Sequence, residues 1–597
     1  MCGIFGYVGT RSDAPQMVLA GLKKLEYRGY DSWGIASREN GQRPAALAVE
    51  KHIGKIGQAE TVLIDSTLAI GHTRWATHGG VTDANAHPHL DCEERLAVIH
   101  NGIVENHESL RHGLKARGHT FRSETDTEVI AHLVEDELTV VPEGSEQLVQ
   151  ALMAVFRRLD GLSAIGVLDT RTRCIAAAKN GSPLVLGWGN GENFLASDSS
   201  ALLEHTRRLT FLEDGQAALV LDDTIKLYDA ATGEPLLDPK VWDITWADEV
   251  ADLEGHPDFM SKEIHEQPRV LRKLAEQCAP DAVALARMIA HASNVHFVGC
   301  GSASHAGKVG EYLFSRIAGK QVSFAVGSEF GYLEHFIDPK SLVVGLSQSG
   351  ETIDLLDSMK AAQRRGAKLA ALVNVEGSSL YRLVDHPVLL GAGPERCVLA
   401  TKSFTAKLAV LLMAAHAMHG RVEHGRELVE RAADEIQAFL TDGRAEMMRT
   451  LAEKIVDREH LYVIGRGPSY PMALEAALKI KEVSYMHAEG FAGGELKHGV
   501  IALIDEGTPC IVLAPNDDSF HAIISGAQEI KARGGFIVGI SPRQSDVWDL
   551  HIPVADVGEG AELVNAVPPQ VLAYHLARLR GLDPDKPRNL AKSVTVK

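Results

Sequence analysis

An internal repeat in the second half of this 597-residue chain constrains its fold more than any other feature. The stretch FVGCGSAS at 297–304 is similar to VIGRGPSY at 463–470. Further along, RRGAKLAALVN at 364–374 is similar to KARGGFIVGIS at 531–541. In each copy a short apolar strand enters a glycine- or serine-rich loop and is followed by a helical pattern. This alternation, repeated after roughly 165 residues, predicts two tandem doubly wound α/β domains with parallel sheets.

The first half has a different pattern, in which short strands alternate with turn signals. LAVIHNG, LSAIGVLD, DGQAALVLDD and CIAAAKNGSPLVLGWGNGENFLASD are the main strand candidates. Asn180-Gly181 and Asn190-Gly191 are typical of hairpin turns, and a helix is expected after Thr125. The sequence therefore predicts a layered α+β domain of antiparallel sheet and helices before the α/β half.

These changes in pattern set the expected domain boundaries. An acidic, mixed stretch predicts a linker between the halves. The C-terminal stretch DKPRNLAKSVTVK has neither a helical nor a strand period, which is typical of a frayed tail. The predicted segments are a first domain at 2–240, the linker at 241–262, two α/β domains at 263–430 and 431–585, and a tail at 586–597.

Composition limits the classes of function. The net charge of −19 argues against binding to nucleic acid phosphates or to an anionic membrane surface. The longest apolar run, LAVLLMAA, is far shorter than the ~20 residues that span a bilayer. The N-terminus lacks the basic and apolar regions of a signal peptide. We therefore expect a cytoplasmic protein that acts on small molecules.

The cysteine and histidine patterns predict no metal and no cofactor. The seven cysteines are scattered without a CxxC pair, as in reduced cytosolic proteins. One stretch of the first half is crowded with histidines, but no glutamate or cysteine at a familiar ligand spacing stands beside them. These histidines are His72, His78, His87, His89 and His100.

Cys2 directly follows the initiator methionine. If Met1 is removed, Cys2 carries both a thiol and a free α-amine, and the amine can accept the thiol proton at neutral pH. Such a residue is an N-terminal nucleophile with its own base. The structural alternative is an ordinary buried cysteine at the start of a strand.

Three polar stretches accompany this cysteine: GHTRWATHG, HNGIVENH and SETDTE. Arg74 offers a bidentate fork for a carboxylate, and Asn101 with Gly102 can donate to an oxyanion. Together they suit acyl transfer on an amino acid amide. Each also has a structural alternative: a surface ion pair for Arg74, a turn for the Asn-Gly pair, and a capping box for Thr125 and Glu128.

In the second half, LSQSGET places Ser347, Gln348, Ser349 and Thr352 between a strand and a helix. Free N–H groups, hydroxyls and the helix dipole make this loop a candidate phosphate cradle. The alternative is a capped helix with a polar loop. GSASHAGK at 301–308 differs from a nucleotide P-loop by one extra residue between its glycines and by the lack of a final Ser or Thr.

Other polar residues of the second half carry little information on their own. Lys479 and Glu482 have the spacing of an ordinary helical ion pair, and His498 lies between glycines. Lys592 lies in the aperiodic tail.

Taken together, MCGIFGYVG, LEYRGYDS, GHTRWATHG, HNGIVENH, SETDTE, LSQSGET, ALKIKEVSY, GELKHG and PRNLAKSVTV closely resemble the glutamine:fructose-6-phosphate aminotransferase (isomerising) family. The motifs occur in order over essentially the whole chain. The resemblance implies an N-terminal αββα glutaminase domain of the Ntn-hydrolase fold, two sugar isomerase (SIS) domains and a homodimer. It implies L-glutamine and a ketohexose phosphate as substrates.

The resemblance also implies a glutaminase site in the first half. Cys2 would be the nucleophile, with its own α-amine as base. Asn101 and the Gly102 N–H would form an oxyanion hole. Arg74, Thr77 and Asp126 would contact glutamine. Trp75 would be a gate on an internal ammonia channel.

For the second half the resemblance implies a sugar site. Lys592 would form a Schiff base at the ketose C2, and Glu482, with Lys479 nearby, would move the proton between C1 and C2. His498, donated by the other subunit, would assist ring opening. The contacts to the sugar phosphate would fall on Ser302, Ser347, Gln348, Ser349, Thr352, Val398 and Ala591.

This chain departs from the family pattern at a few positions. Ala303 and Ala400 stand where serines near the sugar are usual, and Trp33 adds bulk near the glutaminase site. Each lost hydrogen bond to a charged group is worth roughly 1.5–3 kcal/mol, unless Ser304 or Ser403 compensates. Two alternatives therefore stay open: the same amidotransferase with a different ketose phosphate, and a sugar-phosphate-binding regulator.

Overall fold

The computed structural model describes residues 2–40, 46–244 and 253–595. It divides into a first unit, Met1–Val250 with Ser593–Lys597, and a second unit, Ala251–Lys592. The predicted linker at 241–262 lies partly outside the described residues. Its first residues include a strand of the first unit, and its last residues lie in the opening helix of the second unit. The domain boundaries stay predictions.

The first unit contains fifteen strands and four helices among its described residues. The strands are β1 (Gly3–Gly9), β2 (Ser32–Arg38), β3 (Leu47–Ile53), β4 (Leu68–Arg74), β5 (His89–Leu90), β6 (Leu96–Gly102), β7 (Ser163–Asp169), β8 (Ile175–Asn180), β9 (Val185–Trp188), β10 (Glu192–Ala196), β11 (Arg208–Phe211), β12 (Gln216–Val220), β13 (Ile225–Asp229), β14 (Pro235–Leu236) and β15 (Trp242–Asp243). The helices are α1 (Ala14–Leu25), α2 (His107–Ala116), α3 (Glu128–Val140) and α4 (Gln147–Phe156).

Two antiparallel sheets form the centre of the first unit. Their strand orders are β15-β11-β9-β10-β1-β4-β2-β3 and β14-β13-β12-β8-β7-β6-β5. One apolar cluster fills the space between the sheets, while α1 covers the outer face of the first sheet and α3 and α4 cover the second. This arrangement of helix, sheet, sheet and helix confirms the predicted layered α+β domain.

The two predicted hairpins have different outcomes. Asn190-Gly191 joins β9 to β10, which pair antiparallel, so this hairpin is confirmed. The hairpin at Asn180-Gly181 is wrong, because β8 and β9 belong to different sheets. A turn dipeptide reports local backbone geometry and carries no information on which sheet the next strand joins.

The second unit contains ten strands and thirteen helices among its described residues. The strands are β16 (Asn294–Gly299), β17 (Ser323–Val326), β18 (Ser341–Ser347), β19 (Lys368–Val373), β20 (His386–Leu389), β21 (His460–Gly465), β22 (His487–Ala492), β23 (Pro509–Leu513), β24 (Phe536–Ser541) and β25 (Leu550–Pro553). The helices are α5 (Phe259–Gln277), α6 (Ala279–His291), α7 (Ser302–Leu313), α8 (Gly327–Phe330), α9 (Ile353–Arg364), α10 (Ser379–Leu383), α11 (Lys402–Ala417), α12 (Val422–Thr441), α13 (Arg444–Ile455), α14 (Ser469–Ser484), α15 (Phe520–Lys531), α16 (Ala561–Asn565) and α17 (Val567–Leu579).

The sequence repeat corresponds to two sheets of identical topology. Their strand orders are β17-β16-β18-β19-β20 and β22-β21-β23-β24-β25, and all the pairs are parallel. The prediction of two doubly wound α/β domains is confirmed. In such sheets, ligands bind beyond the carboxyl ends of the strands where the strand order reverses, which in the first copy is between β16 and β18.

The two copies share one apolar core, in which helices from both pack together. The apolar run LAVLLMAA lies in α11, which is buried along almost its whole length. This run is therefore an interior helix. No helix in the described ranges is long and apolar enough to cross a membrane.

Candidate active sites

The first candidate site surrounds Cys2 at the start of β1, in the middle of its sheet. The Trp75 backbone N–H donates to Cys2 Sγ over 3.2 Å, and Asn101 Nδ2 donates to the Cys2 carbonyl over 3.0 Å. Trp75 follows the neighbouring strand β4, and Asn101 lies near the end of β6. Three predicted residues from distant parts of the sequence therefore meet. Met1 lies outside the described residues, so its removal stays a prediction.

A buried histidine orients the Asn101 amide. His72 Nε2 lies 3.0 Å from the His100 carbonyl and 3.1 Å from Asn101 Oδ1. Because both neighbours are oxygen acceptors, Nε2 must carry the proton. Burial lowers the pKa of His72 to about 3, so the ring stays neutral and keeps this tautomer. Asn101 Oδ1 is thereby occupied, and its NH2 group is turned toward Cys2.

The crowded histidines of the first half form part of the same network. His87 stacks on His72 with ring centroids 4.0 Å apart, His89 Nε2 lies 3.0 Å from Thr125 Oγ1, and His100 Nδ1 lies 3.0 Å from Thr127 Oγ1. Burial lowers the pKa of His87, His89 and His100. These uncharged rings connect the end of β6 to the SETDTE segment.

Arg74 shapes the loop beside the thiol. Its guanidinium donates to the carbonyls of His78, Gly79 and Gly80, and the residue is only 3% exposed, so a surface ion pair is wrong. Burial lowers the pKa of Arg74, whereas the nearby charges of Cys2, Asp31 and Asp126 act in the opposite direction. The buried cation therefore lies close to the predicted nucleophile. Thr77, in the same loop, is exposed.

Asp126 is 4% exposed, and its carboxylate accepts the Val104 N–H over 2.7 Å. The capping box predicted for Thr125 and Glu128 is wrong. Glu128 instead accepts the N–H groups of Arg122 and Ser123, each over 2.7 Å. Its carboxylate thus closes the loop that carries Asp126.

The backbone at Gly102 leaves no room for a side chain. Its φ is +133°, and a Cβ there would lie 1.8 Å from the Leu162 carbonyl oxygen. The structural alternative of a simple turn is therefore insufficient, because the backbone approaches a neighbouring strand at this point. Trp33 is buried in the apolar cluster under α1 and stacks on His52, and its register partner Thr73 pairs in turn with Gly3 beside Cys2, so its effect on the site stays a prediction.

The second candidate site lies at the switch point of the first α/β copy. Residues 347–352, here called the serine loop, connect β18 to α9, and Thr352 is the residue before the helix. Ser347 Oγ accepts the Gly350 N–H over 2.9 Å. Gly350 has a φ of +70°, and a Cβ there would lie 2.0 Å from Ser378 Oγ. Glu351 N–H donates to Ser349 Oγ over 3.2 Å, so the loop is folded on its own hydroxyls and packs closely against Ser378.

Ser302, the first residue of α7, meets the second copy at the same edge. Lys479 Nζ on α14 donates to Ser302 Oγ over 2.9 Å and lies 2.7 Å from Glu482 and 3.5 Å from Glu475. Lys479 is 1% exposed. Burial lowers its pKa, but the two carboxylates outweigh burial and raise the pKa above its ordinary value. Lys479 is therefore a fixed cation that holds Glu482.

Glu475 and His305 complete this group and were not predicted from sequence. His305 Nδ1 on α7 lies 2.8 Å from Glu475 Oε2 on α14. Glu475 stands one helical turn before Lys479, a spacing that was visible in ALEAALKIK, but nothing local indicates that His305 of the other copy faces it.

Lys592 of the tail is held in a buried ion pair. Its Nζ donates to Glu395 Oε2 over 2.7 Å and to the Leu399 carbonyl over 3.2 Å. Glu395 also accepts the N–H groups of Thr401 and Ser403, each over 3.0 Å. Burial raises the pKa of Glu395, but Lys592 and the Ser403 N–H lower it to about 2. The carboxylate is therefore ionised, and the tail lysine is anchored by it.

The remaining sugar-site candidates differ in position. Ala591 is half-buried beside Lys592, and Val398 is half-buried in the segment that carries Glu395. His498 is exposed at the end of the 3-10 segment Gly493–His498 and makes no hydrogen bond or ion pair with any described residue. One chain therefore brings Lys479 and Glu482 together and leaves His498 apart.

Ser304 and Ser403, the two serines that could replace the missing hydroxyls, already donate their hydroxyl protons within the protein. Ser304 Oγ donates to the Gly301 carbonyl over 2.7 Å, and Ser403 Oγ donates to Glu395 over 2.8 Å. Both residues are buried. The hydroxyls missing at Ala303 and Ala400 are therefore not replaced by these two side chains.

The second copy lacks an equivalent of the serine loop. After β23 the chain reads APNDDS, and Asp517 and Asp518 pair with Arg316 over 3.3 and 2.7 Å. Two carboxylates at this position disfavour a phosphate dianion. The repeat therefore duplicates the fold, while among the described residues the serine-rich sequence at this position occurs in the first copy.

Comparisons with known proteins assign both halves. Residues 72–204 match a glutamine amidotransferase domain, and residues 288–417 and 454–580 each match the SIS domain. The C-terminal domain of glucosamine-fructose-6-phosphate aminotransferase from Francisella tularensis is 30% identical, with a TM-score of 0.53, and covers 56% of this chain and 100% of that one.

Full-length relatives extend this match to the whole chain. Glutamine–fructose-6-phosphate aminotransferase (isomerizing) from Thermococcus kodakarensis is 44% identical over 612 residues, and that from a strain of Thermus thermophilus is 42% identical over 622 residues. In both cases 100% of each chain is covered.

Proposed function

Because this chain belongs to the family of glutamine–fructose-6-phosphate aminotransferases (isomerizing), we propose that it transfers the amide nitrogen of L-glutamine to fructose 6-phosphate. The products are glutamate and glucosamine 6-phosphate. The observation that carries the proposal is full-length similarity to these enzymes, together with one polar site in each half of the chain. The full-length relatives described above are named for fructose 6-phosphate, which favours this sugar over another ketose phosphate and an enzyme over a regulator.

In the glutaminase step, Cys2 is the nucleophile once Met1 has been removed. The α-amine takes the thiol proton, and the thiolate attacks the glutamine amide carbon. Asn101 Nδ2 and the Gly102 N–H donate to the developing oxyanion. Ammonia leaves, and water then hydrolyses the thioester to glutamate. The 3.0 Å contact from Asn101 to the Cys2 backbone and its fixed amide orientation support this assignment.

Glutamine is held by groups of opposite charge. Arg74 and Thr77 bind its α-carboxylate, and Asp126 binds its α-ammonium. The burial of Arg74 and Asp126 supports this role, because ion pairs are stronger away from water. Trp75 gates an internal path for ammonia, which bulk water would protonate at neutral pH. The first unit is accordingly an Ntn-hydrolase glutaminase.

In the sugar step, the serine loop and Ser302 bind the phosphate, with Val398 and Ala591 lining the sugar. Lys592 leaves Glu395, gives up a proton to water and condenses with the C2 carbonyl, which releases water and forms a Schiff base. Ammonia then adds at C2 and displaces Lys592 as its free amine, so the nitrogen stays on the sugar. Glu482, held by Lys479, moves the proton between C1 and C2. His498 comes from the partner subunit of a homodimer and assists ring opening. Its exposure in one chain supports this role.

The test is incubation with amide-15N glutamine and fructose 6-phosphate, followed by mass spectrometry of the products. We expect a hexosamine phosphate that carries the heavy nitrogen. The Cys2→Ala variant should lose this product yet still form an unlabelled amino sugar from added ammonium. Labelled ammonia without an amino sugar, or an equal yield from Cys2→Ala, would reject the proposal.

A further inference from the structure

A second polar cluster lies in the first unit, apart from the thiol site. It consists of Cys92 after β5, His119 in the loop after α2, and His132 and Glu135 on α3. Each residue points one metal-ligating atom toward a common centre, and all four atoms lie within 4.8 Å of one another. The glutaminase and isomerase steps proposed above use none of these residues.

Four of the six distances in the cluster are close to the edges of a zinc tetrahedron. Cys92 Sγ lies 3.5 Å from Nδ1 of His119 and 3.5 Å from Nδ1 of His132. Each of these nitrogens lies 3.1 Å from Glu135 Oε2. With ordinary zinc bond lengths, a tetrahedron has sulfur–nitrogen edges of about 3.6 Å and nitrogen–oxygen edges of about 3.3 Å.

The surrounding groups are those that orient metal ligands. His119 Nε2 lies 2.9 Å from Asp136 Oδ1, so Nε2 can carry the ring proton and donate a hydrogen bond to this carboxylate, which leaves Nδ1 as a lone pair directed at the centre. His132 Nε2 faces Glu128 Oε1 at 3.8 Å. In both histidines Nε2 therefore lies near a carboxylate, and Nδ1 faces the common centre.

Polar atoms of all four residues meet at this centre. Glu135 Oε2 faces three nitrogens, namely the Cys92 backbone N–H and the two imidazole Nδ1 atoms. Cys92 Sγ faces the same two imidazole nitrogens. A single dication satisfies all four groups at once, because it replaces the protons that point at the centre.

We propose that Cys92, His119, His132 and Glu135 bind one zinc ion. Four protein ligands leave no open position for water or substrate, so the site is structural rather than catalytic. Zinc binding releases the thiol proton and joins α3 to the loop before it. That loop carries Asp126, so the ion stabilises the segment that faces the thiol site. The sequence predicts no metal site, so the proposed site with one cysteine, two histidines and one glutamate departs from that prediction.

The test measures bound metal in the full-length chain. The protein is expressed with zinc, desalted and analysed by mass spectrometry for metal content. We expect one equivalent of zinc in the wild type, with loss of zinc from Cys92→Ser and from His119→Gln. Cys174→Ser is the matched control, because Cys174 is a buried cysteine of the same unit outside the cluster and should leave the metal content unchanged.

Cobalt substitution and thermal unfolding complete the test. The cobalt-loaded wild type should show the d–d bands of a four-coordinate site and a thiolate charge-transfer band, and Cys92→Ser should lack that charge-transfer band. A chelator should lower the Tm of the wild type and leave that of His119→Gln unchanged. Equal zinc in the wild type and Cys92→Ser, or a cobalt spectrum without a thiolate band, would overturn the proposal even if one variant fails to fold.

Discussion

At the scale of single residues, Asn101 shows how a buried network orients the side chain that we propose as an oxyanion-hole donor. Its Oδ1 is occupied by His72, whose neutral state follows from burial. The NH2 group therefore already points toward Cys2 before glutamine binds. Preorganised donors of this kind contribute most to acyl-transfer catalysis, because they need no reorientation in the transition state.

Replacing Asn101 tests this arrangement. We expect Asn101→Ala to lower the kcat of glutamine hydrolysis about 100- to 1000-fold, the usual cost of one oxyanion-hole donor, with a small change in KM. Steady-state assays of glutamate formation measure the effect. Amino-sugar synthesis from ammonium salts serves as the control and should stay close to wild type. A kcat within a few-fold of wild type would exclude Asn101 from the oxyanion hole.

The contact between Lys592 and Glu395 is one that the sequence does not reveal. In the tail Lys592 stands among aperiodic residues, yet its ammonium meets Glu395, 197 positions earlier in the chain. No local pattern connects the two, since the contact exists only after the chain has folded. The predicted residues of the thiol site and the serine loop lie in compact polar motifs that are visible in the sequence, whereas Glu395, Glu475 and His305 lie in no such motif.

At the scale of elements, helix α14 carries three charged residues of the sugar site on one face, and its start is supported by a buried acid. Ser469, the first residue of α14, donates its hydroxyl proton to Glu562 over 2.8 Å, and Asn565 donates to the same carboxylate over 3.3 Å. Burial raises the pKa of Glu562 to about 7. This carboxyl therefore holds its proton well above the range of an exposed glutamate.

This shift predicts a pH-dependent stability. Because the folded pKa is raised, the contribution of Glu562 is fully present below the unfolded pKa of about 4.3 and is lost as the pH rises through about 7. Glu562→Gln is neutral at every pH. We expect its Tm to fall less than that of the wild type between pH 5 and pH 8. Glu489→Gln, at an exposed carboxylate of the same copy, is the control and should follow the wild type. Parallel curves for Glu562→Gln and the wild type would contradict the prediction.

Helices and strands were predictable where a sequence pattern repeats. They were uncertain where contacts between residues far apart in the sequence decide the structure. The parallel sheets were predicted because each strand, loop and helix recurs in both copies. The hairpin at Asn180-Gly181 failed because sheet membership is set by the core, where β8 and β9 face different partners. The capping box failed because Glu128 reaches further back along the chain, to Arg122 and Ser123.

At the scale of the whole molecule, the repeat explains where the sugar site lies. Helices α7 and α14 occupy the same place in their two copies, and their contact joins Ser302 and His305 to Lys479 and Glu475. One copy supplies the serine loop, and the other supplies Glu482. The loop after β23 carries Asp517 and Asp518 instead of serines, so the proposal places one sugar site in the chain.

The exposed His498 leads to a prediction about the assembly. If His498 acts across a C2 interface, Glu482→Gln and His498→Ala each abolish sugar isomerisation, but a mixed dimer regains one complete site. Its intact Glu482 comes from the His498→Ala chain, and its intact His498 comes from the other chain. Differently tagged variants are co-expressed and the mixed dimer is isolated through both tags. We expect about half of the wild-type activity per dimer. If His498 acted within its own chain, every site would lack one residue and no activity would return. If the chain were monomeric, the two tags would not purify together.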